Sequence, residues 1–140
     1  MATEIQTTPA VINYVHKKGD DWAPDTITVY DGGEIVNGAL VGGTPRNFTG
    51  YTGRLQVRTV LSGDVIITLT TGAGITLSSA GVITLTMTAV QTAAIAAGDY
   101  KYDMQTTSGA GVIKTWIEGS FTIVTDVTAN SKEWQIQLLL

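Results

Sequence analysis

Apolar and polar residues alternate with a period of two over much of this chain, most regularly from Val65 to Thr88. The tripeptide Ile-Thr-Leu occurs three times there, at Ile67–Leu69, Ile75–Leu77 and Ile83–Leu85, at intervals of eight residues. Turn formers separate the copies, Thr71-Gly72-Ala73-Gly74 and Ser78-Ser79-Ala80-Gly81. About five extended residues and a turn of about three fill that interval, which predicts a tight antiparallel meander. Side chains of a strand point alternately to opposite faces, so Ile and Leu make an apolar face and Thr a hydroxyl face. Ile83, Leu85 and Met87 continue the first face; Thr84, Thr86 and Thr88 continue the second. An apolar face needs a second layer to cover it, and the rest of the chain is expected to supply one.

The same alternation predicts further strands. Val11–His16 is rich in strand formers. Asp25–Tyr30 places Ile27 and Val29 inward with Thr26 and Thr28 outward, and Tyr51–Val60 opposes Leu55 and Val57 to Arg54, Gln56 and Arg58. Asp99–Thr106 carries Tyr100, Tyr102 and Met104 on one face. Val112–Val127 sets Ile117, Phe121 and Ile123 against Glu118, Ser120 and Thr122. Gly119, in mid-strand, marks a bulge or a close backbone approach. Glu34–Asn47 holds Gly38, Gly42, Gly43 and Pro45 and reads as a long loop, with a short extended piece at Glu34–Val36; loops of that length in compact domains tend to be functional. One short helix is expected over about 89–97, with Thr88 as N-cap and Gly98 as stop. A helical turn followed by Gly98-Asp99-Tyr100 fits the tyrosine corner of immunoglobulin-like sandwiches; an ordinary strand tyrosine is the equal alternative.

The expected architecture is all-β, an immunoglobulin-like antiparallel β-sandwich over residues 11–130. A flexible arm precedes it at 1–10, and a terminal strand follows at 131–140. In that last segment Trp134, Ile136, Leu138 and Leu140 share one face. The strand either completes the sandwich or adds to the sheet edge of a neighbouring subunit.

Composition narrows the function. At 140 residues the chain suits one domain. It has no cysteine, which excludes disulfides and thiolate metal sites. Net charge is −4 with eight basic residues, against the clustered Lys and Arg of a nucleic-acid footprint. Charged residues are 14% of the chain, replaced by Thr, Ser, Gly and Ala. Such a surface desolvates easily and suits a subunit packed against neighbours. The N-terminal residues lack a basic start and an apolar run, and no stretch approaches bilayer length, so a soluble product of the cytosol is expected.

Candidate chemistry is sparse. His16 is the only histidine, without a helical His/Glu or His/Asp spacing around it, and is expected to face solvent. Asp20, Asp21, Asp25 and Asp31 lack the calcium-loop pattern and read as turn residues. No Gly-x-Ser-x-Gly elbow is present, and Gly42-Gly43-Thr44-Pro45 is no phosphate cradle. Trp22, Trp116 and Trp134 are weighed as a carbohydrate platform, Trp22 from a loop that would expose its indole, but core or interface packing is the favoured reading for so few aromatics. No enzyme activity, cofactor or metal is expected.

Several segments resemble a family of phage proteins. His16-Lys17-Lys18-Gly19-Asp20-Asp21-Trp22, Ile27-Thr28-Val29-Tyr30-Asp31-Gly32-Gly33 and Phe48-Thr49-Gly50-Tyr51-Thr52-Gly53-Arg54-Leu55-Gln56-Val57-Arg58 are similar to the N-terminal domain of tailed-phage baseplate upper proteins. Ala97-Gly98-Asp99-Tyr100-Lys101-Tyr102-Asp103-Met104 and Glu118-Gly119-Ser120-Phe121-Thr122-Ile123 extend the likeness in the same order. It implies an immunoglobulin-like sandwich that assembles into a virion, made in the host cytoplasm, with other copies and other virion proteins as partners. The charge balance and the lack of a bilayer-length apolar stretch leave neither nucleic acid nor membrane as an expected partner. The stretch Gly38–Pro45 is longer than the family pattern, which keeps a capsid cement or decoration subunit as the alternative; a carbohydrate-binding host-recognition module is the second. The interface candidates are Trp22, Arg54, Arg58, Trp134, Ile136, Leu138 and Leu140.

Overall fold

The computed structural model describes residues 9–60 and 63–125. Thirteen strands and one helical turn lie in them. The strands of the body are β1 (Ala10–Val11), β2 (Tyr14–Lys17), β3 (Trp22–Thr28), β8 (Thr52–Arg58), β9 (Val65–Thr71), β10 (Gly74–Leu77), β11 (Val82–Met87), β12 (Gly98–Thr107) and β13 (Ile113–Val124). Four short strands, β4 (Tyr30–Asp31), β5 (Glu34–Val36), β6 (Ala39–Val41) and β7 (Thr44–Pro45), interrupt them between β3 and β8. The helix α1 (Ala89–Ala93) joins β11 to β12.

Hydrogen bonding runs through the body as one curled sheet in the order β1-β13-β12-β8-β9-β10-β11-β3, with β2 also on β13. It folds on itself at the β9–β10 corner into two layers. One is β2-β13-β12-β8-β9 and the other β10-β11-β3. This is the immunoglobulin-like arrangement expected from the sequence: β3, β11 and β10 occupy the B, E and D positions, and β13, β12, β8 and β9 the G, F, C and C′ positions. The first edge is closed by β1 and β2, which run parallel to β13.

The inward faces are those the alternation predicts. Leu55 and Val57, Leu69, Ile75, Ile83 and Leu85, Tyr102 and Met104, and Ile117, Phe121 and Ile123 are all buried in one core. The Tyr100 hydroxyl donates to the Ala96 carbonyl at 2.6 Å, which makes Tyr100 the tyrosine corner.

The Ile-Thr-Leu repeat does not form a three-stranded antiparallel meander. Its second and third copies do pair as a hairpin, Ile75 opposite Leu85 and Leu77 opposite Ile83. Its first copy belongs to the other layer, and β9 meets β10 in parallel at only two positions. The tight turn Thr70–Ala73 carries the chain from β9 into β10, and Gly74 then passes so close to Leu69 that a Cβ there would sit 2.8 Å from its Cδ2. The apolar face of one copy therefore covers that of the other two, and the repeat supplies part of both layers.

The helix is shorter than expected. It begins at the Thr88 N-cap with a complete Thr88/Gln91 capping box, but it ends at Ala93 instead of Ala97. Ile95 must turn into the core, where it is buried. Lys18 Nζ takes the carbonyls of Ala93 and Ile95, which a longer helix would use internally. Among the described residues no helix is long and apolar enough to cross a membrane.

Candidate functional site

The segment expected as a loop over Glu34–Asn47 is a projecting β-arm. Its base is the ladder of β4 on β7, Tyr30 opposite Pro45 and Asp31 opposite Thr44. Its outer part is the hairpin of β5 on β6, Glu34 opposite Val41 and Val36 opposite Ala39. The tip is Asn37-Gly38, both at positive φ (52° and 82°), the signature of a two-residue hairpin turn. Between base and hairpin the strands meet at Gly32-Gly33 and Gly42-Gly43. A Cβ on Gly33 would lie 3.0 Å from the Gly43 nitrogen, and one on Gly43 would lie 3.1 Å from the Gly32 oxygen. Only glycines let the two backbones approach this closely. Past this joint, Val36, Leu40 and Val41 are 42%, 38% and 51% exposed, and no described arm side chain joins the core.

Arg46 fastens the base of the arm to the body. Its Nε and Nη2 both donate to Asp31 Oδ1, at 3.0 and 2.8 Å, and its Nη1 donates to the Tyr51 hydroxyl. Its guanidinium also lies over the Trp116 ring, 5.1 Å from the centroid. Partial burial works against the charge, but the bonds to Asp31 and Tyr51 outweigh it and hold the guanidinium above its ordinary pKa. Trp116 is the extra residue of a bulge in β13, where Met104 faces Ile117 and Gln105 faces Thr115. Its indole Nε1 donates to Thr106 Oγ1 at 2.8 Å. Sequence reading missed this centre, since an arginine after a proline in a glycine-rich stretch carries no periodic signal.

On the outer face of the β8-β9-β12-β13 layer, at the same end of the body as the arm, lies a shallow concavity of about 450 Å³. Thr52 and Arg54 from β8, Thr70 from β9, Gln105 and Thr107 from β12 and Ile113 from β13 line it. Register explains the grouping: Arg54 stands opposite both Thr70 and Gln105, and Thr107 opposite both Thr52 and Ile113. Small threonines beside long Arg54 and Gln105 leave the hollow. Arg54 is the only ionisable residue in the lining.

The candidates from sequence do not gather at one place. Arg54 lies in the concavity. Arg58 is engaged within its own chain, donating to the Gly63 carbonyl and to Gln56 Oε1. Trp22 is not in a loop but begins β3, 5% exposed, with its ring against Tyr14, His16 and Phe121. Trp134, Ile136, Leu138 and Leu140 lie outside the described residues, as does the arm up to Thr8.

His16 does not face solvent either. Its ring is half-buried among Tyr14, Trp22 and Phe121, 4.6 Å from Trp22, and its Nε2 is buried with no hydrogen-bond partner among the described residues. Burial lowers its pKa, with the field of Asp25 partly opposing. The Tyr14 hydroxyl donates to Asp25 Oδ2 at 2.7 Å. Burial first, then that bond, raises the Tyr14 pKa. The aspartates are spent separately: Asp21 accepts from the Ala89 amide, Asp25 from Tyr14 and Asp31 from Arg46. Among the described residues no three His, Cys, Asp or Glu side chains are grouped to hold a metal ion.

No protein-family pattern and no curated protein sequence matches the chain. Among solved structures the chain is similar to CopC from Methylosinus trichosporium OB3b, at 12% identity over 88% of this chain and 90% of that one, with a TM-score of 0.37. A likeness at that score bears on neither the fold nor the ligands of this chain.

Proposed function

We propose that this chain is a structural subunit of a bacteriophage virion that works by contacts with other copies of itself and with other virion proteins, in the baseplate, neck or tail. The β-arm is the observation that carries the reading. A rigid sandwich holds out a hairpin with exposed aliphatic side chains on a joint braced by Arg46, and a two-stranded hairpin is marginal in water by itself. The weakly charged, threonine-rich outer faces and the segment resemblance to baseplate proteins support it. The length of the arm relative to the resembled family favours a capsid cement or decoration subunit as the second reading. The carbohydrate reading is not advanced, because its leading ring, Trp22, is in the core.

Particles produced in a host carrying the gene test the proposal. The chain is expected in washed, gradient-purified particles at a fixed copy number, and deletion of residues 131–140 or of the hairpin 35–41 is expected to lower its incorporation. Absence of the full chain from purified particles overturns the proposal.

A further inference from the structure

We propose that the hairpin Glu34–Val41 of one copy docks in the concavity around Arg54 of a second copy, a head-to-tail contact. The inference rests on the assembly reading above and names the partner and acceptor of its arm.

The hairpin asks for cover. Val36, Leu40 and Val41 are exposed, and both outer edges of the β5–β6 ladder lack a strand neighbour among the described residues. The joint at Gly33 and Gly43 is closed by backbone contact, and Arg46 fixes the base below it. None of the described residues that line the chain's own concavity comes from the arm, and the proposal assigns the cover of the hairpin to a second copy.

The concavity answers that demand in size and chemistry. About 450 Å³ is within the range of sites that take small organic groups, and here it would take aliphatic side chains of the hairpin. Threonine methyls and Ile113, itself 63% exposed, give apolar surface, while threonine hydroxyls and Gln105 can meet backbone groups at the hairpin edge. Charge is complementary. Glu34 is the only ionisable residue of the hairpin and Arg54 the only one of the concavity. Glu34 has a contact within its own chain; the Arg54 side chain has no hydrogen bond or ion pair among the described residues. The lining of the concavity sets no acidic residue against Glu34.

Donor and acceptor are different patches of one surface, so the contact is heterologous. Contacts of that type close into rings or run on as filaments, the forms a repeated virion subunit takes.

Sedimentation of the purified full-length chain over a concentration series, with charge reversals, tests this. The natural chain is expected to associate with rising concentration. Arg54→Glu or Glu34→Arg alone is expected to weaken association at least tenfold, and the two together to restore most of it. Near-ultraviolet circular dichroism checks that each variant keeps its packing. The absence of cysteine permits a second readout: Ala39→Cys chains mixed with Thr70→Cys chains are expected to give the mixed disulfide dimer in excess of either homodimer. Association unchanged by both single reversals, or homodimers alone, overturns the hairpin-to-concavity contact while leaving assembly in place. A chain monomeric at every concentration, or an arm that cross-links only to other particle proteins, also overturns it; incorporation into particles then decides the assembly reading separately.

Discussion

Gly119→Ala is a stringent test of how the amino-terminal edge is held. The Cβ would fall 2.3 Å from the Ile12 carbonyl oxygen and 2.8 Å from Asn13 Oδ1. Neither can yield alone, because both are tied to their surroundings. The Ile12 amide donates to the Glu118 carbonyl at 2.9 Å. The Ile12 carbonyl accepts from the Tyr102 hydroxyl at 2.6 Å, and Asn13 Oδ1 accepts from the Ser120 amide at 3.0 Å. Moving the link between β1 and β2 far enough to admit a methyl group stretches or breaks all three. At about 1 kcal/mol each, and more for the hydroxyl of Tyr102 left unpaired in the core, the loss comes to roughly 2–4 kcal/mol. For a domain of this size that is a fall in Tm of about 8–15 °C. Scanning calorimetry of Gly119→Ala beside Gly109→Ala reads it directly. Gly109 has open space, its nearest neighbour being the Gly50 oxygen at 3.8 Å, and its alanine variant is expected to melt with the natural chain. A Gly119→Ala variant that melts within about 2 °C of the natural chain would refute the reasoning, since the edge would then accommodate the methyl group without losing its bonds.

Stability is expected to fall with pH through His16. Its folded pKa lies below the ordinary value of 6.5, so the unfolded chain binds the proton first. The contribution is fully present above about pH 6.5 and is lost progressively as pH drops through the folded pKa; urea midpoints from pH 7.5 to 5 should show the fall, and His16→Phe should flatten it. Tyr100→Phe removes the bond to the Ala96 carbonyl and should cost about 1 kcal/mol, read as a lower urea midpoint at unchanged slope; no change in midpoint would make the corner dispensable.

The sequence by itself determined the local rules. Alternation of period two assigned the inward residues from Leu55 to Ile123, because a strand's geometry sends neighbours to opposite faces whatever it pairs with. Thr88 at the helix start, Tyr100 at the corner and the tight approach at Gly119 were legible for the same reason: each is set by residues a few positions away, or by a missing Cβ. What only the tertiary structure decided depends on partners far along the chain. The Ile-Thr-Leu copies look alike, yet Gly74 and the contacts of Leu69 send the first to one layer and the others to the opposite one. His16 read as a solvent-facing residue and Trp22 as a loop residue until β2 and β3, placed in opposite layers, close their rings against Phe121. The glycine-rich stretch read as a loop because its strands are each three residues or shorter; cross-strand pairing, Gly33 against Gly43, and Arg46 clasping Asp31 and Trp116 make it an arm.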